Sequence, residues 1–260
     1  MRKKSLTSLR LLSRLAGYSI VLSAIGLGIS FYHKGELPSH RQIDKSLYRQ
    51  PEQLSTERTP FSFTYADKIY EITPVADYHI SGLLVSHNDI RSFWDMYHDK
   101  NSVDIKDICL LWGSNLIDDT FKKVSFHNES VSCHFKTHDA TSAENFNTAE
   151  VSNNHLLASD PEVRRKINES RVGDQVELSG MLINYCPREN RDWIRQTSLS
   201  RTDTGGGACE VMFVEEFQFL KKAPRFWYRT YEILRRALVV SVVVKILLFL
   251  LLPWLEYKYE

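Results

Sequence analysis

Surplus charge is missing from this chain. Its 33 Lys and Arg stand against 32 Asp and Glu, for a net charge of +1. A balance so close to neutral gives no basis for a nucleic-acid surface, which needs a positive field along its groove. Acids are missing from the first 17 residues, MRKKSLTSLRLLSRLAG, while Arg2, Lys3, Lys4, Arg10 and Arg14 are present. Cysteine is scarce. Cys109, Cys133, Cys186 and Cys209 permit two disulfides in any of three connectivities, or four buried thiols. Asp-Thr-Gly occurs once, at 203–205, so an aspartic-protease pair would require two chains. Gly205–Gly207 lacks both phosphate-loop spacing and a following lysine.

Two long apolar runs are what the chain does have. Ala237–Leu255, ALVVSVVVKILLFLLLPWL, holds a single charge, Lys245, and matches the roughly 20 residues that an α-helix needs to cross a bilayer. Before it, Lys221–Arg236 interleaves Arg225, Arg229, Arg235 and Arg236 with Phe226, Trp227, Tyr228 and Tyr231, the dressing of a membrane interface in contact with anionic lipid. The first run, 15–32, follows the basic tail. It reads as an uncleaved signal anchor more than as a cleaved signal peptide, because Phe31 and Tyr32 close it as interface residues do. Gly26 and Gly28 offer a face for close helix packing.

These features divide the chain into a basic tail (1–14), a transmembrane helix (15–32), a linker (33–60), a soluble domain (61–220), an interfacial helix (221–236), a second transmembrane helix (237–255) and a short tail (256–260). The basic N-terminus places both ends in the cytoplasm and the domain outside it, although the cations before the second span pull the other way. The setting implied is a bacterial inner (plasma) membrane crossed twice.

Within the domain, Phe61–Ile72, Asp77–Ser86, Gln175–Asn184, Trp193–Ser200 and Glu210–Phe219 are rich in branched and aromatic residues and predict strands. Gly82 suggests a bulge or barrel bend. Asn88–His98 and Asp104–Gly113 space their apolar residues as helices do. Phe121–Ser125 and Val131–Lys136 suggest a hairpin, and Thr137–Val151 a mobile loop. Asp160-Pro161-Glu162 marks a helix start, with Val163 and Ile167 on its inner face. The sum is an α+β chain: a small OB-like mixed β-barrel between two transmembrane α-helices.

Three stretches, DICLLWGSNL, NNHLLASD and TSLSRTDTGGGACEV, with VGDQVELSGMLI between them, resemble a group of proteobacterial membrane-anchored proteins. Its members read like D-L-x-L-x-W-G, N-x-H-L-I-P-A-D and S-S-L-x-R-x-D-T-G-x-G-A-C-E. The likeness covers Asp77–Val214 in order, with Leu157-Ala158 where the group has Ile-Pro. It implies a bacterial envelope setting. The group has no established activity, so no catalytic residue carries over.

For chemistry, Cys209 and His155 are a candidate thiol–imidazole pair with Asp203 as third member, set against a buried thiol or a Cys186–Cys209 disulfide. His127, Cys133, His134 and His138 invite a zinc reading, but adjacent strand residues Cys133 and His134 point to opposite faces. Asn153-Asn154-His155 reads as a polar segment bonding local backbone. Lys245, at membrane depth, is expected to face protein, either the first span or a neighbouring copy, with Ser19, Ser23 and Ser30 as acceptors. The reading is a non-enzymatic binding or assembly module for an envelope partner or itself, with no cofactor. A hydrolase built on Cys209, His155 and Asp203, or an oligomerising membrane effector, stands as the alternative.

Overall fold

The computed structural model describes residues 2–90, 102–129, 132–203 and 208–259. The chain forms two compact units, one from its two ends (1–36 and 224–260) and one from 37–223.

The terminal unit is a pair of long helices, α1 (Arg2–His33) and α4 (Phe226–Tyr259). Both are long and apolar enough to cross a membrane. The basic tail is continuous with the first apolar run, and the aromatic-basic segment is continuous with the second. Gly26 allows close approach, since a Cβ there would lie 2.6 Å from Leu234 Cδ1. Ser19 Oγ lies 2.8 Å from Ser241 Oγ, and Arg10 pairs with Glu256 at 2.7 Å.

The second unit is built on a mixed seven-stranded sheet. Its strands are β1 (Glu52–Ser55), β2 (Phe61–Tyr65), β3 (Lys68–Asn88), β4 (Lys106–Leu111), β7 (Val151–Leu157), β8 (Gln175–Pro187) and β9 (Glu210–Lys221). A separate hairpin pairs β5 (Ser125–Asn128) with β6 (Cys133–Lys136). Five strands run β3-β4-β7-β9-β8, and β8 returns to β3, so the sheet is a near-closed ring. Only β7 and β9 are parallel among these pairs. Helix α2 (Ala140–Asn145) follows the hairpin, and α3 (Pro161–Glu169) lies between β7 and β8 in sequence.

Alternation along each strand sorts side chains to two sides of the sheet. Ile80, Ile108, Leu110, Leu156, Leu178, Met212 and Phe217 share the inner core, which Val163 and Ile167 of α3 join. Asp160 caps α3 by accepting from the backbone N–H groups of Glu162 and Val163. Outside, Phe61, Ile72, Ile183, Val211 and Phe213 form a second cluster, and Ile43, Leu47, Leu83, Cys109, Leu111 and Phe121 a third. Gly180 lets β8 and β9 close up, because a Cβ there would meet Phe213 O at 2.1 Å.

Several expectations are corrected. Asp104–Gly113 is not a helix but contains β4, whose six residues are all buried. With cores on both sides, its apolar residues run continuously and carry no alternation to distinguish strand from helix. The segment 33–60 is not a bare linker, since Ile43 and Leu47 are core residues. Phe61–Ile72 is a hairpin, turning at Ala66 and Asp67 with positive φ. The bulges of β3 fall at Pro74/Ala76 and Leu84/Ser86, not at Gly82, which instead accommodates Leu110. The stretch 137–151 is built rather than loose, with α2 and the buried Ser142 and Glu150. Trp193–Ser200 is not a strand. It has one bridge, Tyr185 to Arg195, and otherwise runs as a strap. The helix expected over Asn88–His98 lies, from residue 91 on, outside the described residues.

Candidate functional site

The parallel pair β7–β9 is where buried polar side chains concentrate. On its outer side, register sets Asp107 of β4 directly opposite His155 of β7. Nδ1 of His155 lies 2.7 Å from Asp107 Oδ1, and the two residues are 2% and 0% exposed. Nε2 lies 2.7 Å from Arg195 Nη2 of the strap. A guanidinium can only donate, so in this arrangement His155 is the neutral tautomer with its proton on Nδ1, directed at Asp107. Cys209, just before β9, is a further hydrogen-bond partner of the same ring. Asn153 Nδ2 also donates to Cys209 Sγ at 3.5 Å. Burial lowers the basicity of His155, but the Asp107 carboxylate overrides it, and the net direction is upward. A more basic Nε2 can accept either Arg195's hydrogen bond or a proton, and taking the proton displaces Arg195.

The inner side holds a second cluster. Glu210 opens β9 opposite Asn154, and its Oε1 accepts from Arg201 Nη1 at 2.7 Å. The same Nη1 donates to Tyr78 OH at 2.8 Å. Glu210 Oε2 and Arg201 Nη2 are buried without a hydrogen-bond partner among the described residues. Burial raises the Glu210 carboxyl to about 7, against the opposing pull of Arg201.

The strap and the residue that follows it, Arg201, therefore supply an arginine to each side. The strap is pinned by Ser198 N–H to Cys209 O (2.9 Å), Thr197 N–H to Asn184 Oδ1 (3.0 Å) and Val211 N–H to Thr197 Oγ1 (3.0 Å). These bonds explain why a segment of strand-like composition stays out of the sheet.

Of the predicted trio, Cys209 and His155 meet, and Asp203 does not join them. Its Oδ2 accepts from Ser198 Oγ at 2.5 Å, as a turn residue does. Asp107 holds the place proposed for it. No sequence pattern pointed to Asp107, because its pairing with His155 is a matter of register between two strands 48 positions apart. Asn153, Asn154 and His155 all belong to β7; Asn154 bonds backbone as expected, its Nδ2 donating to Ser152 O at 3.4 Å and Ile108 O at 3.5 Å, whereas Asn153 and His155 bond other side chains. The Cys186–Cys209 disulfide is also corrected, since the bridge joins Cys109 to Cys133 and leaves Cys186 and Cys209 as half-buried thiols. That bridge removes Cys133 from the proposed zinc set. His134 faces Glu129 at 3.6 Å on an exposed hairpin, His127 is its cross-strand neighbour, and His138 is exposed beyond it. Among the described residues no cluster of His, Cys, Asp and Glu could hold a metal.

In the helix pair, Lys245 Nζ donates to Ser13 O and Ser13 Oγ, both at 3.0 Å. The acceptor is thus Ser13 of the first helix, and not the expected Ser19, Ser23 or Ser30. Trp227 stacks on His33 at 4.8 Å, Arg235 pairs with Glu232 at 2.8 Å, and Arg229 and Arg236 are exposed, with Arg225 just ahead of the helix.

A second lysine is buried in the barrel. Lys106 Nζ donates to Ser170 O at 2.7 Å and pairs with Asp89 at 3.0 Å, and burial lowers it to about 8.

No family model, curated protein or solved structure matches this chain.

Proposed function

We propose that this chain is a two-span protein of the bacterial inner membrane whose barrel, on the extracytoplasmic side, is an OB-like binding or assembly module for an envelope partner. Membership of the proteobacterial membrane-anchored group it resembles is part of the same reading. Anchoring is supported by the two apolar helices and by aromatic and basic residues at the start of α4. An extracytoplasmic domain is supported by the Cys109–Cys133 bridge, which an oxidising compartment would preserve. The OB-like character rests on a five-strand ring whose helix separates its third and fourth strands in sequence.

The observation that carries the binding role is the strap. Trp193, Ile194 and Leu199 are 47%, 54% and 50% exposed on a segment whose backbone is pinned to the barrel. Large apolar residues held rigidly among arginines suit a protein partner, since interfaces are enriched in Trp and Arg and gain from preorganisation. A photo-crosslinking residue at position 193, activated in intact membranes, should give one discrete product that disappears when Ile194 and Leu199 become Ser. A product of twice the chain mass would make the partner a second copy. No product, or one indifferent to those changes, would end the reading. Topology is tested separately by a phosphatase reporter fused after Phe219, which should be active, and an inactive reporter there would reverse the orientation.

A further inference from the structure

We infer that Cys209 is the nucleophile of an acyl-transfer site, with His155 as its base, Asp107 as a positioning residue and Arg195 as a shield on the base. The inference is independent of the partner reading above. Its geometric basis is the outer face of the β7–β9 pair, where Asn153 Nδ2 donates to Cys209 Sγ at 3.5 Å and His155, two residues further along the same strand, meets a fully buried carboxylate at 2.7 Å; a hydrogen bond from Cys209 to the imidazole agrees with that placement. This is the arrangement by which a side-chain nucleophile is activated and its base held in one tautomer. Asp107 fixes the proton on Nδ1, which leaves Nε2 with the lone pair. Arg195 occupies that lone pair at 2.7 Å in the resting arrangement. Cys209 is half-buried while His155 is 2% exposed, so of the two residues Cys209 lies nearer the surface.

The substrate class is an ester or thioester. Arg195 turns away, and Nε2 takes the proton of the Cys209 thiol. Sγ attacks the carbonyl carbon, a C–S bond forms, and the bond from that carbon to the leaving oxygen or sulfur breaks. His155 returns the proton to the leaving group. Water then gives a proton to His155 as its oxygen attacks the thioester carbon. The C–S bond breaks, and the thiol regains its proton. The net result is hydrolysis, with no oxidant or reductant involved.

The molecule carries its own control, because Cys186 is also a half-buried thiol outside the disulfide. The full chain in detergent is treated with p-nitrophenyl acetate, with release of nitrophenol followed and acetylated peptides identified by mass. Cys209 should be acetylated about 100-fold or more faster than Cys186, the low end of what a positioned base contributes. Arg195→Ala should speed Cys209 further by unshielding Nε2. His155→Asn, with its fold checked by near-UV circular dichroism, should bring Cys209 down to the rate of Cys186. If that variant does not fold, the Cys186 comparison and Arg195→Ala still decide. Equal rates at the two thiols, or an Arg195→Ala protein slower than the parent, would overturn the assignment.

Discussion

The two sides of the β7–β9 pair handle buried charge differently. On the outer side, Asp107 and His155 are register partners on neighbouring strands, and every step from Asp107 through His155 to Arg195 is a contact of 2.7 Å. On the inner side, Glu210 meets Arg201 and Arg201 meets Tyr78, and the arginine comes from outside the sheet. The outer pair is fixed by sheet register alone, so its geometry is as rigid as the barrel. The inner cluster depends on Arg201, brought in from just past the end of the strap. A polar contact between register partners is set by the sheet itself, whereas one made with a residue from an irregular segment follows that segment's path.

The largest effect should come from breaking the outer pair. Asp107→Ala strands the Nδ1 proton of the buried His155 and leaves Arg195 without the carboxylate at the other end of the row, and removal of one charge from a buried, hydrogen-bonded pair costs about 3–5 kcal/mol. Asp107→Asn keeps an acceptor for the Nδ1 proton and removes only the charge, so its cost should be clearly smaller. Urea unfolding of the full chain in detergent, followed by tryptophan fluorescence, measures both. Equal costs for the two variants would mean that shape, and not the acceptor, is what the site requires.

The inner cluster should show itself through pH. Glu210 titrates near 7 in the folded chain against 4.5 for a free Glu side chain. Between those values the folded state holds more protons than the unfolded state, so stability falls as pH rises. The contribution is fully present below about pH 4.5 and lost once pH has passed through about 7. Each tenfold change in proton affinity is worth about 1.4 kcal/mol, so the total is on the order of 3 kcal/mol. In Glu210→Gln this segment of the slope should vanish while the slopes due to other groups remain. A variant whose pH dependence between 5 and 8 parallels the parent's would show that Glu210 is ionised throughout.

This contrast also explains what could be read from the sequence. The two apolar helices, α3 with its Asp160 cap and Pro161, and the strands β8 and β9 follow from local pattern and were legible. Strand β4 was not, because burial on both sides removed its alternation. The strap was not, because its strand-like residues are held by side chains such as Asn184 and Thr197 that no periodicity announces. The site was half legible. Cys209 and His155 could be named as residue types able to work together, but choosing Asp107 over Asp203 required the register of β4 on β7. The disulfide was of the same kind, since Cys109 and Cys133 are brought together by the hairpin's docking against β3 and β4.

The smallest effect is expected at Asn153, which extends the outer network away from His155. Its Oδ1 accepts from Asn128 Nδ2 at 2.7 Å, and Asn128 Oδ1 accepts from Ser86 Oγ at 2.5 Å. Its own amide donates to Cys209 Sγ. The row thus crosses β3, the hairpin and β7 before reaching the thiol. Asn153→Ala deprives the Asn128 amide of its acceptor, and a buried donor so stranded costs about 1–3 kcal/mol. Asn128 is 8% exposed, close enough to the surface for water to replace part of the lost bond, which puts the expected cost near 1 kcal/mol. The double variant with Asn128→Ala should cost less than the sum of the two single changes, because the second removes the donor that the first had stranded. Strict additivity in that cycle would mean that the two amides act separately, and the outer network would then end at His155.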